Sequence, residues 1–157
     1  GPLVLGTMGA NDRMQCSVLG DTVNLASRIE QLTKVYGAQF LIGENTLNSL
    51  ENPEKYSIRM VDRVAVKGKA LAVSLYEVLD AEDPTRKAAK ESTKELLKLG
   101  METYFSRDFA LAFEIFSKGT LQDSEDPVFE IFSNRSQGYL ENPPSMDWKG
   151  YESLYSK

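Results

Sequence analysis

Apolar and polar residues follow two different patterns along this chain of 157 residues. In the first half, short apolar or alternating runs bounded by turn-forming residues predict strands. They lie at residues 2–8, 13–19, 39–42, 56–67 and 72–79. The first two are expected to pair as a hairpin, and the last two to run antiparallel through a turn at Gly68 and Lys69. With helices between the strands, residues 1–80 are predicted to form an α/β domain of the α+β sandwich type.

The main helix of this half is predicted from its apolar stripe. Apolar residues recur at i, i+4, i+7 and i+11, namely at Leu25, Ile29, Leu32 and Tyr36. This spacing places them on one helical face, which should pack on a sheet. Asp21 is expected to be the N-cap, and Gly37 to end the helix after Tyr36. A second, short helix is predicted at residues 44–50.

The second half begins at a charged, proline-containing segment, residues 81–84. We expect residues 81–157 to form a small all-α extension, with helices near 86–105 and 108–119. Six residues have the spacing of one tetratricopeptide repeat: Leu96, Leu99, Gly100, Ala112, Phe116 and Gly119. An ordinary helical hairpin explains them equally well, and both interpretations stay open. In either case a further helix, at residues 128–139, must cover the exposed face.

Composition narrows the chemistry that the chain can carry. It has no histidine, which removes the usual general base and the usual zinc ligand. Its one cysteine, Cys16, excludes an internal disulfide and fits a reducing, cytoplasmic compartment. The net charge of −5 argues against a nucleic-acid partner. No run approaches the ~18 apolar residues of a membrane span, so any membrane anchor is expected upstream of this segment.

The most specific motif is GDTVNLASR at residues 20–28, followed later by VKGK at residues 66–69. Asn24 and Arg28 stand at i and i+4, so both project from one side of the predicted helix. Taken alone, such a pair is commonly a solvated helix face, and such lysines a basic turn. Together and in this order, the motifs resemble those of class III nucleotide cyclases, which convert ATP or GTP into a 3′,5′-cyclic nucleotide and pyrophosphate.

The resemblance covers about residues 1–79 and implies roles for three polar side chains. It implies that Asn24 orients the ribose and that Arg28 stabilises the transition state at the α-phosphate. Lys67 corresponds to the lysine that neutralises the outgoing β- and γ-phosphates. These residue types suit those roles, since an amide can position an oxygen and a guanidinium matches phosphate oxygens.

The purine base of the nucleotide is expected to be selected partly by Ser17, three positions before Gly20. Adenylyl cyclases usually have Asp, Thr or Ser at the corresponding position, and guanylyl cyclases usually have cysteine. Cys16 is one residue away and should point to the other face of the strand. Adenylyl cyclase is therefore the favoured interpretation, and guanylyl cyclase the alternative.

The resemblance is to the C-terminal half of the catalytic domain, a ferredoxin-like sheet with helices. It implies that the two metal-binding aspartates lie before Gly1, so the ligands for Mg²⁺ or Mn²⁺ are expected outside this chain and none within it. Because sites of this family form at a dimer interface, it also implies a homodimer, with ATP as the substrate of the intact enzyme. The chain alone is expected to be inactive.

Two other functional classes remain open. In the first, the cyclase-like part is degenerate and serves as a dimerisation or scaffolding module, while the tetratricopeptide-like tail binds a protein partner. In the second, the chain is an α/β fragment with a helical appendage and no ligand. The presence of Asn24, Arg28 and Lys67 favours the enzyme, since a degenerate site need not keep them.

Overall fold

The computed structural model describes residues 3–8, 15–65 and 72–153. The elements in these ranges are β1 Val4–Met8, β2 Gln15–Leu19, α1 Asp21–Tyr36, β3 Leu41–Gly43, α2 Glu44–Leu47, β4 Ile58–Ala65, β5 Ala72–Val78, α3 Pro84–Phe105, α4 Phe109–Gln122, α5 Pro127–Glu141 and β6 Glu152–Ser153. Strands β1 and β2 form one sheet, and the other four form a second sheet in the order β3-β5-β4-β6. This architecture confirms the predicted mixed α/β class with a helical C-terminal part, although the extension also contributes the two-residue strand β6, which pairs in parallel with β4.

The strand pairings follow the predicted ones closely. Strands β1 and β2 are antiparallel, with Gly6 opposite Ser17. Strands β4 and β5 are also antiparallel, with Ile58 opposite Val78. The predicted turn at Gly68 and Lys69 lies outside the described residues. Helix α2 ends at Leu47, earlier than the sequence pattern indicated.

Helix α1 has the predicted length and the predicted buried face. Ile29 and Tyr36 are buried, and Leu25 and Leu32 pack against the same core. Gly37 ends the helix in the left-handed conformation, at φ 55°, and its N–H donates to the carbonyl of Thr33. Glycine adopts this conformation without the steric cost that other residues meet.

The prediction that Asp21 caps α1 is wrong by one residue. The N-cap is Gly20, which has φ 151° and no side-chain cap, and Asp21 is the first helical residue. Because only glycine adopts such a positive φ easily, the chain can turn directly from β2 into α1 at this position. The carboxylate of Asp21 then lies in the first turn, where the helix dipole favours negative charge.

The three long C-terminal helices share a core with the sheet. One hydrophobic cluster contains buried residues of α1 and the second sheet together with buried residues of α3, α4 and α5; among them are Ile29, Val61, Leu75, Leu97, Phe116 and Phe132. The predicted third helix is present as α5 and packs on α4. The division of the chain at residues 80 and 81 stays a prediction.

Two glycines allow close contacts between these helices. A Cβ at Gly100 would lie 2.6 Å from the ring of Phe116, and one at Gly119 would lie 2.0 Å from the ring of Phe129. Real Cβ atoms do not approach so closely, so α3, α4 and α5 could not keep this packing with larger residues. The pairing of Gly100 with Phe116 is compatible with both the tetratricopeptide interpretation and the ordinary helical hairpin.

We expect Gly119→Ala to lower the free energy of unfolding by about 1–3 kcal/mol, because the added methyl overpacks the contact with Phe129. Gly138→Ala in α5 is the matched control, since nothing lies within 4 Å of its Cβ position. That variant should be more stable by about 0.5–1 kcal/mol, the usual gain when alanine replaces glycine within a helix. Urea unfolding of both variants tests this, and equal stabilities would contradict the packing argument.

Candidate functional site

The junction of β2 and α1 positions the predicted site residues on the N-terminal half of α1. The carbonyl of Gly20 accepts hydrogen bonds from the N–H groups of Val23 and Asn24, at 3.1 and 3.2 Å. These bonds begin the helix immediately after the strand that contains Ser17. The local fold therefore brings the predicted base-contacting strand and the predicted catalytic helix together through a single glycine.

Asn24 and Arg28 lie one turn apart on the exposed side of α1. The neighbouring face of the helix contains Ile29 and Tyr36, which are buried against the sheet and the C-terminal helices. This arrangement leaves the amide of Asn24 and the guanidinium of Arg28 on a surface that a ligand can reach. Their roles in catalysis stay predictions.

The other two predicted site residues are placed less completely. Ser17 lies in β2, opposite Gly6 of β1, and only its backbone is described. Lys67 lies outside the described residues, as does the rest of the VKGK motif. The strands on either side of that motif, β4 and β5, are paired in register up to Ala65 and Ala72.

Sequence reasoning missed a cluster of buried charges around Glu77. The Glu77 side chain is fully buried and accepts hydrogen bonds from Arg59 Nε at 2.7 Å and from Lys90 Nζ at 2.5 Å. Lys90 also donates to Glu82, at 2.7 Å, and Arg59 donates to Asp126 at the start of α5. Burial raises the pKa of the Glu77 carboxyl, and the positive charge of Arg59 opposes that shift.

A second buried cluster surrounds Asp62. Its Oδ2 accepts hydrogen bonds from the hydroxyl of Tyr36, at 2.6 Å, and from Nη1 of Arg135, at 2.8 Å. Desolvation, together with the negative charge of Asp62, raises the pKa of the Tyr36 hydroxyl well above its usual range. Tyr36 is therefore a donor at any working pH, and it joins the end of α1 to β4.

One of these clusters had a signal in the sequence. Arg59 and Glu77 have the same strand parity as the apolar residues Val61 and Leu75, so alternation alone places both on the buried face. Charged residues are rarely buried unless they are paired, which makes such positions candidates for an ion pair. Asp62 had no such signal, because its burial depends on an irregularity of β4 between Met60 and Asp62.

A cavity of about 320 Å³ opens between β4 and α3, away from α1. Its lining includes apolar side chains such as Met60, Met101 and Phe105, with Lys94 and Lys98 among the charged residues. Because no residue of α1 lines it, this cavity is separate from the surface that contains Asn24 and Arg28.

Two further properties concern metals and membranes. Across residues 3–8, 15–65 and 72–153, no group of three or more His, Cys, Asp and Glu side chains could hold a metal ion. No helix in the described part of the chain is both long enough and apolar enough to cross a membrane.

A protein-family model and the named relatives of this chain indicate the same family. The sequence model of the adenylate and guanylate cyclase catalytic domain matches residues 1–105, which include strands β1 to β5 and helices α1 to α3. An adenylate cyclase of Anabaena cylindrica is 51% identical over 79 residues, which are 50% of this chain and 16% of that protein. A terminal-differentiation specific adenylate cyclase of Dictyostelium discoideum is 40% identical over 105 residues, 66% of this chain and 5% of that protein.

A third relative, adenylate cyclase 1 of Rhizobium meliloti (strain 1021), is 35% identical over 79 residues, 50% of this chain and 12% of that protein. The chain thus spans at most 16% of the length of these three relatives.

Proposed function

The chain belongs to the adenylate and guanylate cyclase catalytic domain family, and from this premise we propose that it supplies one side of a site that converts ATP into 3′,5′-cyclic AMP and pyrophosphate. The observation that carries the proposal is the placement of Asn24 and Arg28, one turn apart and exposed on α1. Sequence similarity shows the family, and this geometry supports a role for the pair at the nucleotide.

In the proposed reaction the ribose 3′-oxygen attacks the α-phosphorus, and the bond from that phosphorus to pyrophosphate breaks. Asn24 orients the ribose by hydrogen bonds from its amide. Arg28 holds the α-phosphate oxygens with a planar, permanently charged guanidinium, which stabilises the charge of the transition state. Lys67 neutralises the departing pyrophosphate. Asn24 and Arg28 cannot accept the proton of the 3′-hydroxyl, which is proposed to pass to water or to a base supplied by another part of the catalytic domain.

The proposed side of the site does not itself fit Mg²⁺ or Mn²⁺. Arg28 is a cation with no acceptor atoms, and the part of the chain that the structure describes offers no group of three potential ligands. We propose that the metal ligands of the intact enzyme are supplied by another part of the catalytic domain. No step of the reaction is assigned to a metal bound by this chain.

ATP is favoured over GTP by two observations. Ser17 occupies the position that the family resemblance assigns to adenine recognition. The three relatives compared above are all named adenylate cyclases. Guanylyl cyclase activity remains the alternative for the same site.

Homodimerisation is proposed from the first sheet. A two-stranded hairpin alone is marginally stable at best, and β1 begins with apolar residues that are widely exposed. Leu3, Val4 and Leu5 are 55%, 67% and 65% exposed. Such an apolar strand needs a covering segment, from a second copy of this chain or from another part of the catalytic domain.

A scaffolding role is the second candidate function. Leu111 and Leu121 on α4 are exposed, and Leu121 is 88% exposed, so the helical part has apolar side chains available to a protein partner. In this alternative the cyclase-like part is degenerate, and the tetratricopeptide-like helices bind the partner.

Cyclic-nucleotide production with Mn-ATP and Mn-GTP tests the proposal. The sample is a protein that extends this chain N-terminally to a whole catalytic domain, and the control is this chain alone. We expect cyclic AMP to exceed cyclic GMP in the extended protein, with no product from the chain alone. A folded, dimeric but inactive extended protein would support the scaffold, and a preference for GTP would support the guanylyl alternative. Product from the chain alone would contradict the proposed external metal ligands.

A further inference from the structure

We propose that the C-terminal helices position the nucleotide site, and that Arg135 of α5 is a positioning residue for Asn24 and Arg28. The inference rests on the proposed function, because it concerns the geometry of that same site. It goes further, because it makes the helical tail a part of the catalytic apparatus.

The first support is the carboxylate of Asp62, which joins three elements. Asp62 is 1% exposed and lies in β4. Its Oδ2 accepts from Tyr36, the last residue of α1, and from Arg135, in the middle of α5. The guanidinium of Arg135 therefore fixes the acceptor that holds the C-terminal end of α1.

The second support is the direct contact of the tail with Gly37, immediately after α1. Nζ of Lys90 in α3 donates to the Gly37 carbonyl at 2.8 Å. A Cβ at Gly37 would lie 2.9 Å from Cγ of Pro127, the first residue of α5. The end of α1 is thus held from both α3 and α5, by polar contacts and by close packing.

A displacement at this end would reach the proposed catalytic residues because a helix moves as a nearly rigid body. Arg28 lies eight residues before Tyr36, a distance of about 12 Å along the axis at ~1.5 Å per residue. A rigid-body shift or rotation of α1 would move both Asn24 and Arg28 relative to a bound nucleotide. A misplacement of about 1 Å can reduce a rate by about 10²-fold.

The test compares two arginines of the tail whose ion pairs have nearly the same side-chain exposure. Arg135 and its partner Asp62 have side chains that are 19% and 2% exposed, and Arg86 and its partner Asp123 have side chains that are 22% and 5% exposed. The Arg86 pair joins only residues of the helical part. Arg86→Gln therefore controls for the loss of a partly buried ion pair that does not reach α1.

We expect Arg135→Gln in the extended cyclase to lower kcat per folded molecule by about 10- to 100-fold. Arg86→Gln should lower it less than about threefold, and Arg135→Lys, which keeps the charge, should recover part of the loss. A purely structural role would reduce the folded fraction, measured by circular dichroism, and leave kcat per folded molecule unchanged.

Hydrogen exchange of this chain gives a readout that does not need activity. Arg135→Gln should accelerate exchange at the C-terminal turn of α1 and in β4 around Asp62, and Arg86→Gln should not. If the extended wild type is active and Arg135→Gln matches Arg86→Gln in kcat, the positioning inference is overturned, whatever the exchange shows. If the extended wild type makes no cyclic nucleotide, the proposed function fails, and the positioning inference falls with it.

Discussion

Replacement of Arg28 by alanine in an enzyme that contains this chain should lower kcat for cyclic AMP formation by about 10³-fold. The guanidinium is proposed to stabilise charge that develops on the α-phosphate, and such an interaction acts mainly in the transition state. The loss should therefore appear in kcat more than in KM. Arg28→Lys should lie between wild type and Arg28→Ala, since lysine keeps the charge but loses the fork of donors.

Lys34→Ala is the matched control for this experiment. Lys34 is an exposed cation in the last turn of the same helix, and we expect its loss to change kcat less than about threefold. Urea unfolding of both variants separates a catalytic effect from a folding effect. If Arg28→Ala keeps wild-type activity while folded, Arg28 is not the transition-state cation. If the wild-type protein makes no cyclic nucleotide and its cellular function survives Arg28→Ala, the scaffolding alternative is supported.

The elements could be predicted from the sequence where local pattern and burial agree. Helix α1 is the clearest example, because its apolar residues recur with helical spacing and Gly37 provides a left-handed end. Its N-terminus was misplaced by one residue, because a capping aspartate is a common start and the sharp turn at Gly20 depends on the strand before it. Local signals determine elements well, and their junctions less well.

The contacts that join the two halves could not be predicted in the same way. Asp62 is buried only because the register of β4 shifts between Met60 and Asp62, so a side chain that strict alternation directs outward faces the core. Its partner Arg135 lies 73 residues further along the chain. No local pattern encodes such a pairing, and nothing in the sequence pattern connects the helical part with α1.

For a related reason, only part of the candidate site could be predicted from the sequence. Asn24 and Arg28 were identified through the resemblance of residues 20–28 to a motif of class III nucleotide cyclases, and the structure places both on the exposed side of α1. Residues that act through others, such as Tyr36 and Asp62, have no motif of their own. Only the folded structure brings them together behind the residues that are proposed to contact the nucleotide.

The largest stability effect is expected for Lys90→Met. Lys90 is 1% exposed, and its ammonium donates to Glu77, Glu82 and the Gly37 carbonyl. Methionine has similar length but no charge, so the buried carboxylates of Glu77 and Glu82 would lose the cation that they share, and Arg59 alone would offset the charge of Glu77. Breaking a buried ion pair from one side typically costs about 3–5 kcal/mol, a large share of the ~5–15 kcal/mol that stabilises most domains.

The pH dependence of the stability of Lys90→Met follows from the direction in which the pKa values of the two carboxyl groups shift. Burial raises the pKa of the Glu77 carboxyl, whereas hydrogen bonds from its neighbours, Lys90 among them, hold the pKa of the Glu82 carboxyl below its usual value. Without Lys90 both pKa values should rise. A carboxyl with a raised folded pKa favours the native state below its unfolded pKa, and that advantage is lost as the pH rises through the folded pKa. The destabilisation by Lys90→Met should therefore be smallest near pH 4 and should grow toward pH 7.

Lys87→Met on the same helix provides the comparison. Its ammonium contacts Asp80 at 2.6 Å, but both side chains are about one-third exposed, so water can replace the lost partner. We expect almost no change in the urea midpoint for Lys87→Met at either pH 4 or pH 7, and a decrease for Lys90→Met that is much larger at pH 7 than at pH 4. Equal, pH-independent midpoints would mean that water reaches the Glu77 cluster and that it contributes no more than a surface pair. A difference between the two variants that grows with pH would show that the buried ammonium of Lys90, which joins α3 to the sheet, is needed to stabilise the ionised carboxylates around it.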